Sequence, residues 1–375
     1  MSACSPTKIV YAISSLANEG PTRVLLNTIR YLDRQRFTPS VVTFMKEKAE
    51  SLLAEFSASD VEIFRLAEAS SGKARGLLAR FQVFSALLRH RGFRIVHAHC
   101  PRSLFFAVAA APKGMKCAYT LHAYPDTQYK VIHGRLKGPL ITFASNLAIR
   151  AIDAPIACSD SVAAEYREKK GRSFRAVNNG ILPIDMTGMG NRAQALTGLG
   201  LDPQRRYLLF VGRLSAEKRI AEFARIFASS SAPTTDLVVV GAGPEEDSLR
   251  NLSAKNIHLM GFHKDIRPFL AACDYYVSPS ATEGLANTLL ETMSVGMPGL
   301  LSDIPSHRFV AEKCNGIGVQ VFDPLSRESL LAGIHDLQSQ VSDTVRESLR
   351  ETFRTQFHAE VMTRGYEATY AEMLA

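Results

Sequence analysis

No CxxC pair occurs in this chain, although it has six cysteines, Cys4, Cys100, Cys117, Cys158, Cys273 and Cys314. Their scatter argues against a disulfide framework and against a zinc site, and a reducing cytoplasm is the compartment expected. The start, MSACSPTKIVYAI, lacks the basic segment and apolar run of a secretion signal. The best apolar stretch, at 104–111, is too short to span a bilayer, so the chain is expected to be neither secreted nor membrane-spanning. Short repeats and low-complexity tracts are missing as well. Carboxylates are scarce in one half only. Residues 1–180 carry 26 Lys and Arg against 13 Asp and Glu, net +13, while the remainder carries 18 against 23, net −5. A basic half can meet nucleic acid, an anionic membrane or a phosphorylated substrate, or it can be a solvated surface with no partner.

What is present is an ordinary globular composition, 46% hydrophobic and 21% charged over 375 residues. That length exceeds what one core usually supports and favours two domains of roughly 150 to 200 residues each. Short apolar or β-branched runs at 8–14, 40–44, 95–98, 117–121 and 154–158 alternate with patterns of helical period at 22–32, 76–90, 102–110 and 161–170. Strand and helix taking turns implies a parallel sheet covered on both faces. A second series, YLLFVG, DLVVVGAG, IHLMG, YYVSPS and GLLSD, repeats the scheme from position 207 onward. Two doubly wound α/β domains are expected. The stretch between them, NNGILPIDMTGMGNRAQ at 178–194, is rich in Gly and Asn and is the boundary candidate. The tail at 354–375 reads as one helix with Phe357, Met362, Tyr366 and Tyr370 as apolar contacts.

The stretch SATEGLANTLLETM, 280–293, places two glutamates eight positions apart around a segment with no charge. It follows the strand at 274–277 and precedes Gly296 and Pro298, so a helix is predicted over 287–295, starting at the carboxyl end of a parallel strand. Open α/β sheets bind ligands there. A helix start offers unpaired N–H groups and partial positive charge to a phosphate, and Gly284 with Ala286 allows close approach to the backbone. Glu283 and Glu291 cannot bind phosphate, but they can accept hydrogen bonds from the vicinal hydroxyls of sugars. The plainer alternative is that Glu283 caps the helix and Glu291 is a solvated helical residue.

The block SPSATEGLANTLLETMSVGMP resembles the signature of retaining glycosyltransferases of family 4, with the EX7E motif and GT-B architecture. VGRLSAEKRI, VVVGAGPEEDSLR, MGFHKDIRPFLAACDYYVSPS, the NNGI segment and, more weakly, IVHAHCPRS and TLHAY extend the likeness over most of the chain. The resemblance implies two Rossmann-like domains facing a cleft. Residues 1–182 would bind the acceptor and 183–357 the nucleotide sugar, with a helix at 358–375 packing back onto the first. It further implies that Arg213 and Lys218 meet the donor diphosphate, that Glu283 holds a hydroxyl of the donor sugar, and that Glu291 holds the ribose. The backbone of Gly284, Leu285, Ala286, Asn287 and Thr288 would meet the diphosphate, and Phe262 would line the base. His122 in TLHAY would hydrogen-bond the donor sugar and orient the acceptor, with general base as the other role its chemistry allows.

The first loop, ANEGPT, departs from the family's GGxE: Glu19 and Thr22 replace its first Gly and its Glu, and Gly20 remains as the residue of this loop that the resemblance places at the nucleotide-sugar donor. SDIPSHRFV at 302–310 departs from the family's Gly pair followed by Glu, and Asp303, His307 and Arg308 there could touch the donor, with roles the sequence does not specify. GAGPEE lacks the third glycine of a dinucleotide fingerprint, Glu246 standing in its place, and reads as a tight turn. His97 and His99 could suggest a metal pair, but donors on one strand end point to both faces. No DxD occurs, so neither metal nor cofactor is expected.

The expected activity is transfer of a hexose or N-acetylhexosamine from a nucleotide sugar, UDP-linked, to a lipid-linked or envelope glycan. An epimerase or hydrolase on the same fold, or a non-catalytic nucleotide-sugar binder, stays open. A nucleic-acid partner is not expected. The basic segments at 73–94 and 129–150 leave open peripheral contact with the inner face of the cytoplasmic membrane, against a plain core helix with one solvated face.

Overall fold

The computed structural model describes residues 5–48, 50–69, 76–230 and 234–375, without the side chains of residues 127, 128, 130–133 and 135. Lys73 and Arg75 of the first basic segment and Cys4 lie outside the described residues. The chain divides into two compact units, Met1–Ile181 with Ala359–Ala375, and Leu182–His358.

Unit 1 holds a seven-stranded sheet: β1 (Thr7–Ile13), β2 (Phe37–Thr43), β3 (Glu62–Arg65), β4 (Ile95–Ala98), β5 (Lys116–Leu121), β6 (Ala154–Ala157) and β7 (Arg175–Ala176). The order is β3-β2-β1-β4-β5-β6-β7 and every pairing is parallel. Unit 2 holds β8 (Arg206–Val211), β9 (Thr235–Val240), β10 (Ile257–Gly261), β11 (Tyr275–Ser278), β12 (Gly299–Ser302) and β13 (Val319–Phe322). Their order is β10-β9-β8-β11-β12-β13, again all parallel. Both sheets are thus α/β and doubly wound. Each has a switch point where successive connections leave in opposite directions, between β1 and β4 and between β8 and β11.

The sequence reasons are local. Runs such as LLFV and LVVV are buried on both faces, as a sheet sandwiched by helices requires. In β1, Val10 and Ala12 enter one core while Ile9, Tyr11 and Ile13 enter the other. The helix Ile220–Ser229 buries Ile220, Phe223, Ala224 and Phe227, one stripe at helical spacing. Strands β3, β7 and β13 escape sequence reading because they sit at sheet edges, are only two to four residues long and are partly exposed.

The tail corrects the expectation of one helix over 354–375. A wide π-type turn spans Phe353–Phe357, His358 is extended, and a separate helix runs Ala359–Leu374. The reason is that its apolar residues serve different cores. Phe357 lies beside Phe309 in unit 2, with ring centroids 6.2 Å apart, whereas Met362, Tyr366 and Tyr370 belong to the core of unit 1. Both tyrosines are fully buried, and Tyr370 also ties the helix to the sheet, its hydroxyl lying 2.7 Å from His97 Nδ1. Truncating either ring, Tyr366→Ala or Tyr370→Ala, is expected to cost about 3–5 kcal/mol in urea unfolding, whereas Tyr370→Phe, which removes only the hydroxyl, should cost about 1–3 kcal/mol.

Candidate active site

In a parallel sheet all carboxyl ends share one edge, and in unit 2 that edge gathers the candidate residues. The chain leaves β8 through Gly212 and Arg213, and Leu214 is clamped on both sides. Its N–H donates to the Ala242 carbonyl and its carbonyl accepts from the Glu245 N–H, each at 3.0 Å. The glycines of GAGPEE make this closeness possible. A Cβ on Gly241 would lie 1.9 Å from the Gly212 oxygen, and one on Gly243 would lie 2.3 Å from the Leu214 oxygen. The motif is therefore a turn that presses on the β8 exit loop. Arg213 is exposed there, and its side chain makes no hydrogen bond or ion pair among the described residues.

Next comes a short turn, Ala216–Lys218, ending at Arg219, whose φ of 52° is in the left-handed region that a non-glycine residue adopts only under constraint. The Glu217 carbonyl of this turn accepts from the Ala281 N–H at 2.8 Å, so the loops after β8 and β11 are stitched together across the switch point. That stitch brings Lys218 to Glu283. Lys218 Nζ donates to Glu283 Oε1 at 2.5 Å, and Ser280 Oγ donates to the same oxygen at 2.8 Å. The Glu283 side chain is 11% exposed and that of Lys218 is 24% exposed. Burial alone would raise the Glu283 carboxyl, but the Lys218 charge and hydrogen bond, with smaller help from His307 and Ser280, bring it below its ordinary value. Glu283 is thus an anion with Oε1 spent, while Oε2 makes no hydrogen bond to the described residues and can accept one from a ligand.

The helix that follows runs Asn287–Ser294, with Ala286 as its N-cap and no capping bond from a side chain. Glu283 is therefore committed to Lys218 rather than to the helix start. Gly284 and Leu285 are buried, while Ala286, Asn287, Thr288 and Glu291 are partly exposed. At the end of β10, Gly261 takes φ 74° and accepts from the Gly241 N–H at 2.8 Å, leaving Phe262 exposed on the same edge. Arg213, Lys218, Phe262, Glu283, Gly284, Leu285, Ala286, Asn287, Thr288 and Glu291 all belong to unit 2 and to its carboxyl edge or the helix rising from it.

His122 and Gly20 belong to unit 1. His122 follows β5 and is half-buried, its Nε2 lying 3.3 Å from His99 Nδ1. His97 uses both nitrogens, Nδ1 with the Tyr370 hydroxyl and Nε2 with Thr120 Oγ1 at 2.8 Å, which removes it as a metal ligand. Among the described residues no three His, Cys, Asp or Glu side chains gather as a metal site would require. Burial pushes His97 down to about 3 and His122 to about 4, and His99 also falls well below its ordinary value. These rings are neutral at ordinary pH, so His122 is a weak base better suited to hydrogen bonding. Gly20 opens the helix Gly20–Tyr31 after β1. Glu19 ahead of it pairs with Lys48 at 3.1 Å, and Thr22 is buried. The sequence assigned no part to Ser280 and Ser302. Ser280 meets Glu283 three residues on in the same loop, whereas Ser302 finds its partner, the Ser280 carbonyl, across neighbouring strands.

Residues 205–339 match the family described as Glycosyl transferases group 1, and residues 19–182 match Glycosyltransferase Family 4. The chain belongs to the family-4 type of glycosyltransferase. Among curated relatives it is 24% identical over 273 residues to the putative teichuronic acid biosynthesis glycosyltransferase TuaC of Bacillus subtilis, covering 71% of this chain and 67% of TuaC. It is 27% identical over 258 residues to an Escherichia coli UDP-Gal:alpha-D-GlcNAc-diphosphoundecaprenol alpha-1,3-galactosyltransferase, covering 63% of this chain and 65% of that enzyme. The chain thus spans about two thirds of the length of these relatives. Among solved structures, Anabaena HepE in complex with UDP superposes with a TM-score of 0.77 at 20% identity, covering 98% of this chain and 100% of HepE. A sucrose-phosphate synthase from Thermosynechococcus elongatus superposes with a TM-score of 0.76 at 15% identity, over 98% and 99%. These two likenesses establish the shared fold.

The Lys218–Glu283 pair gives a measurable consequence. Lys218→Met leaves a carboxylate largely enclosed without its cation. The expected loss in urea unfolding is about 2 kcal/mol, less than the roughly 3–5 of a fully enclosed pair because Lys218 keeps 24% of its side chain in solvent. Adding Glu283→Gln to Lys218→Met should recover part of that loss. A double variant as unstable as the two single losses summed would show that the pair is not coupled.

Proposed function

We propose that the protein transfers a sugar from a nucleotide sugar, UDP-linked, to a hydroxyl of a lipid-linked or envelope glycan, with retention of anomeric configuration and without a metal. The observation that carries this reading is the pairing of Lys218 with Glu283 in front of a helix start at the switch point of unit 2. A departing nucleoside diphosphate carries two charges away from C1, and Arg213, Lys218 and the N–H groups of 284–288 are cationic or partly positive partners for it. Lys218 also screens the leaving group from the Glu283 carboxylate. Glu283 Oε2 would then accept a hydroxyl of the donor sugar, while Glu291, further along the helix, accepts the ribose hydroxyls. As the C1 bond lengthens, the sugar becomes oxocarbenium-like, and the anion of Glu283 lies beside the developing positive charge. Phe262 is assigned to the base and unit 1, with His122, to the acceptor. UDP is favoured because the solved HepE complex contains UDP and the Escherichia coli relative is named for a UDP-Gal donor. Relatives named for lipopolysaccharide core biosynthesis and for teichuronic acid support an envelope acceptor.

No helix of the described residues is long and apolar enough to cross a membrane, and we assign the protein to the cytoplasmic face as a peripheral protein. The helix Pro125–Ile149 supports this. Leu136, Leu140, Phe143 and Leu147 form one stripe at helical spacing and are 86%, 70%, 71% and 59% exposed. Charge complements the stripe. Residues 69–152 contain thirteen Lys and Arg and a single carboxylate, Asp126, which is itself paired with Lys170 at 3.1 Å. An apolar stripe in a positive field suits an anionic lipid surface.

The reaction is tested by incubating the protein with UDP- and GDP-sugars, with and without lipid extract. Nucleotide release that requires the extract and yields a glycolipid is expected with one UDP-sugar. Conversion or cleavage without acceptor would favour an epimerase or hydrolase, and binding without turnover a non-catalytic protein. Glu291→Ala should mainly weaken nucleotide binding and Glu283→Ala mainly lower turnover. For the membrane, wild type should sediment with phosphatidylglycerol-containing vesicles and not with pure phosphatidylcholine, and Leu140→Asp with Phe143→Asp should abolish this. Equal sedimentation of the double variant would overturn the assignment of the stripe.

A further inference from the structure

The helix Pro305–Lys313 begins just after β12, on the edge that holds Glu283, and carries His307 in its first turn. His307 is 1% exposed. Its Nδ1 lies 2.9 Å from the Ser302 carbonyl oxygen and 3.1 Å from Ser302 Oγ. The hydrogen of Ser302 Oγ is already spent on the Ser280 carbonyl, at 2.6 Å. A carbonyl only accepts, so Nδ1 must carry the ring proton. Nε2 is then a bare lone pair, and it is buried with no hydrogen-bond partner among the described residues.

Such an atom is costly, because an unsatisfied buried acceptor forfeits its hydration without compensation. Protonation does not relieve it. Burial pushes the ring down to about 4, against the opposing pull of Glu283. The charges of both Glu283 and Lys218 act on this ring. The ring is further joined to them by a polar chain, His307 to Ser302, Ser302 to the Ser280 backbone, and Ser280 Oγ to Glu283 Oε1.

We propose that His307 Nε2 accepts a hydrogen bond from a hydroxyl of the donor sugar, next to the hydroxyl taken by Glu283, and so helps select which sugar is transferred. This rests on the glycosyl-transfer reading above. The chemistry is restrictive, since a lone pair takes only a ligand O–H or N–H. Phosphate, carboxylate and carbonyl oxygens of the donor are excluded from this spot, as is a sugar whose hydroxyl there is missing or alkylated. A site built to meet a hydroxyl rejects the analogue that lacks it more strongly than an apolar pocket rejects a size change.

The test uses the accepted nucleotide sugar and its monodeoxy analogues at each ring hydroxyl, with free UDP as a binding control. Wild type is expected to lose about 10–100-fold in kcat/KM on an analogue whose missing hydroxyl meets neither Glu283 nor the leaving group. In His307→Phe that penalty should disappear for this analogue alone, with UDP affinity unchanged. His307→Gln, which keeps an acceptor at the end of the side chain, should restore part of it. A His307→Phe variant that keeps the wild-type pattern would overturn the proposal, as an internal water would then satisfy Nε2. Loss of UDP affinity equal to the loss for the sugar nucleotide would also overturn it, in favour of a structural role at the strand end. If wild type bound no nucleotide sugar at all, the transfer reading itself would have failed, a result separable from these two.

Discussion

A carboxylate enclosed by protein is tolerable only with a cation beside it. In unit 2 that cation is Lys218, and much of the surrounding structure serves to deliver it. The left-handed Arg219 ends the turn that carries Lys218, the Glu217 carbonyl holds the loop after β11, and the glycines at 241 and 243 let the neighbouring turn press against the exit of β8. Glu283 in return is fixed through one oxygen only, by Lys218 and Ser280, which leaves the other for a ligand. An anion bound on one side and open on the other is preorganised to interact with a hydroxyl or with developing positive charge, without first having to find its own counterion.

Unit 1 solves the opposite problem, keeping polar groups neutral in an apolar interior. His97, Thr120, Tyr366, Tyr370 and Tyr11 form one buried hydrogen-bonded set that joins the last helix to the first sheet. Its members have their ionised forms suppressed by burial, so the set acts through hydrogen bonding alone. The pair His99 and His122 stands next to it, with His97 and His99 ring centroids 4.3 Å apart. The C-terminal helix is in this way a structural member of the unit that contains the chain's beginning.

The alternating pattern of the chain made the two parallel sheets legible, because long buried runs such as LLFV and LVVV have few other uses. The segment around Glu283 and Glu291 was legible too, as charge-free helix start after a strand, and its likeness to a family attached chemistry to Arg213 and Lys218. The edge strands β3, β7 and β13 were not, being short and only half-buried. The tail misled because Phe357 and Met362 look like one apolar stripe, yet they enter different cores on either side of an extended His358.

Sequence by itself determined the period of each element, the buried faces, the identity of the two glutamates and the basic bias of the first half. These follow from residues close together in the chain, where spacing and side-chain chemistry are enough. Tertiary structure decided which charges meet. That Lys218 neutralises Glu283, that Ser280 and Ser302 link β11 to β12, and that His307 is left with a bare buried nitrogen all depend on strand order, which brings residues 20 to 65 positions apart within hydrogen-bond reach. Local pattern carries no record of such pairings, because a hydrogen bond constrains geometry across the sheet rather than the composition of either segment.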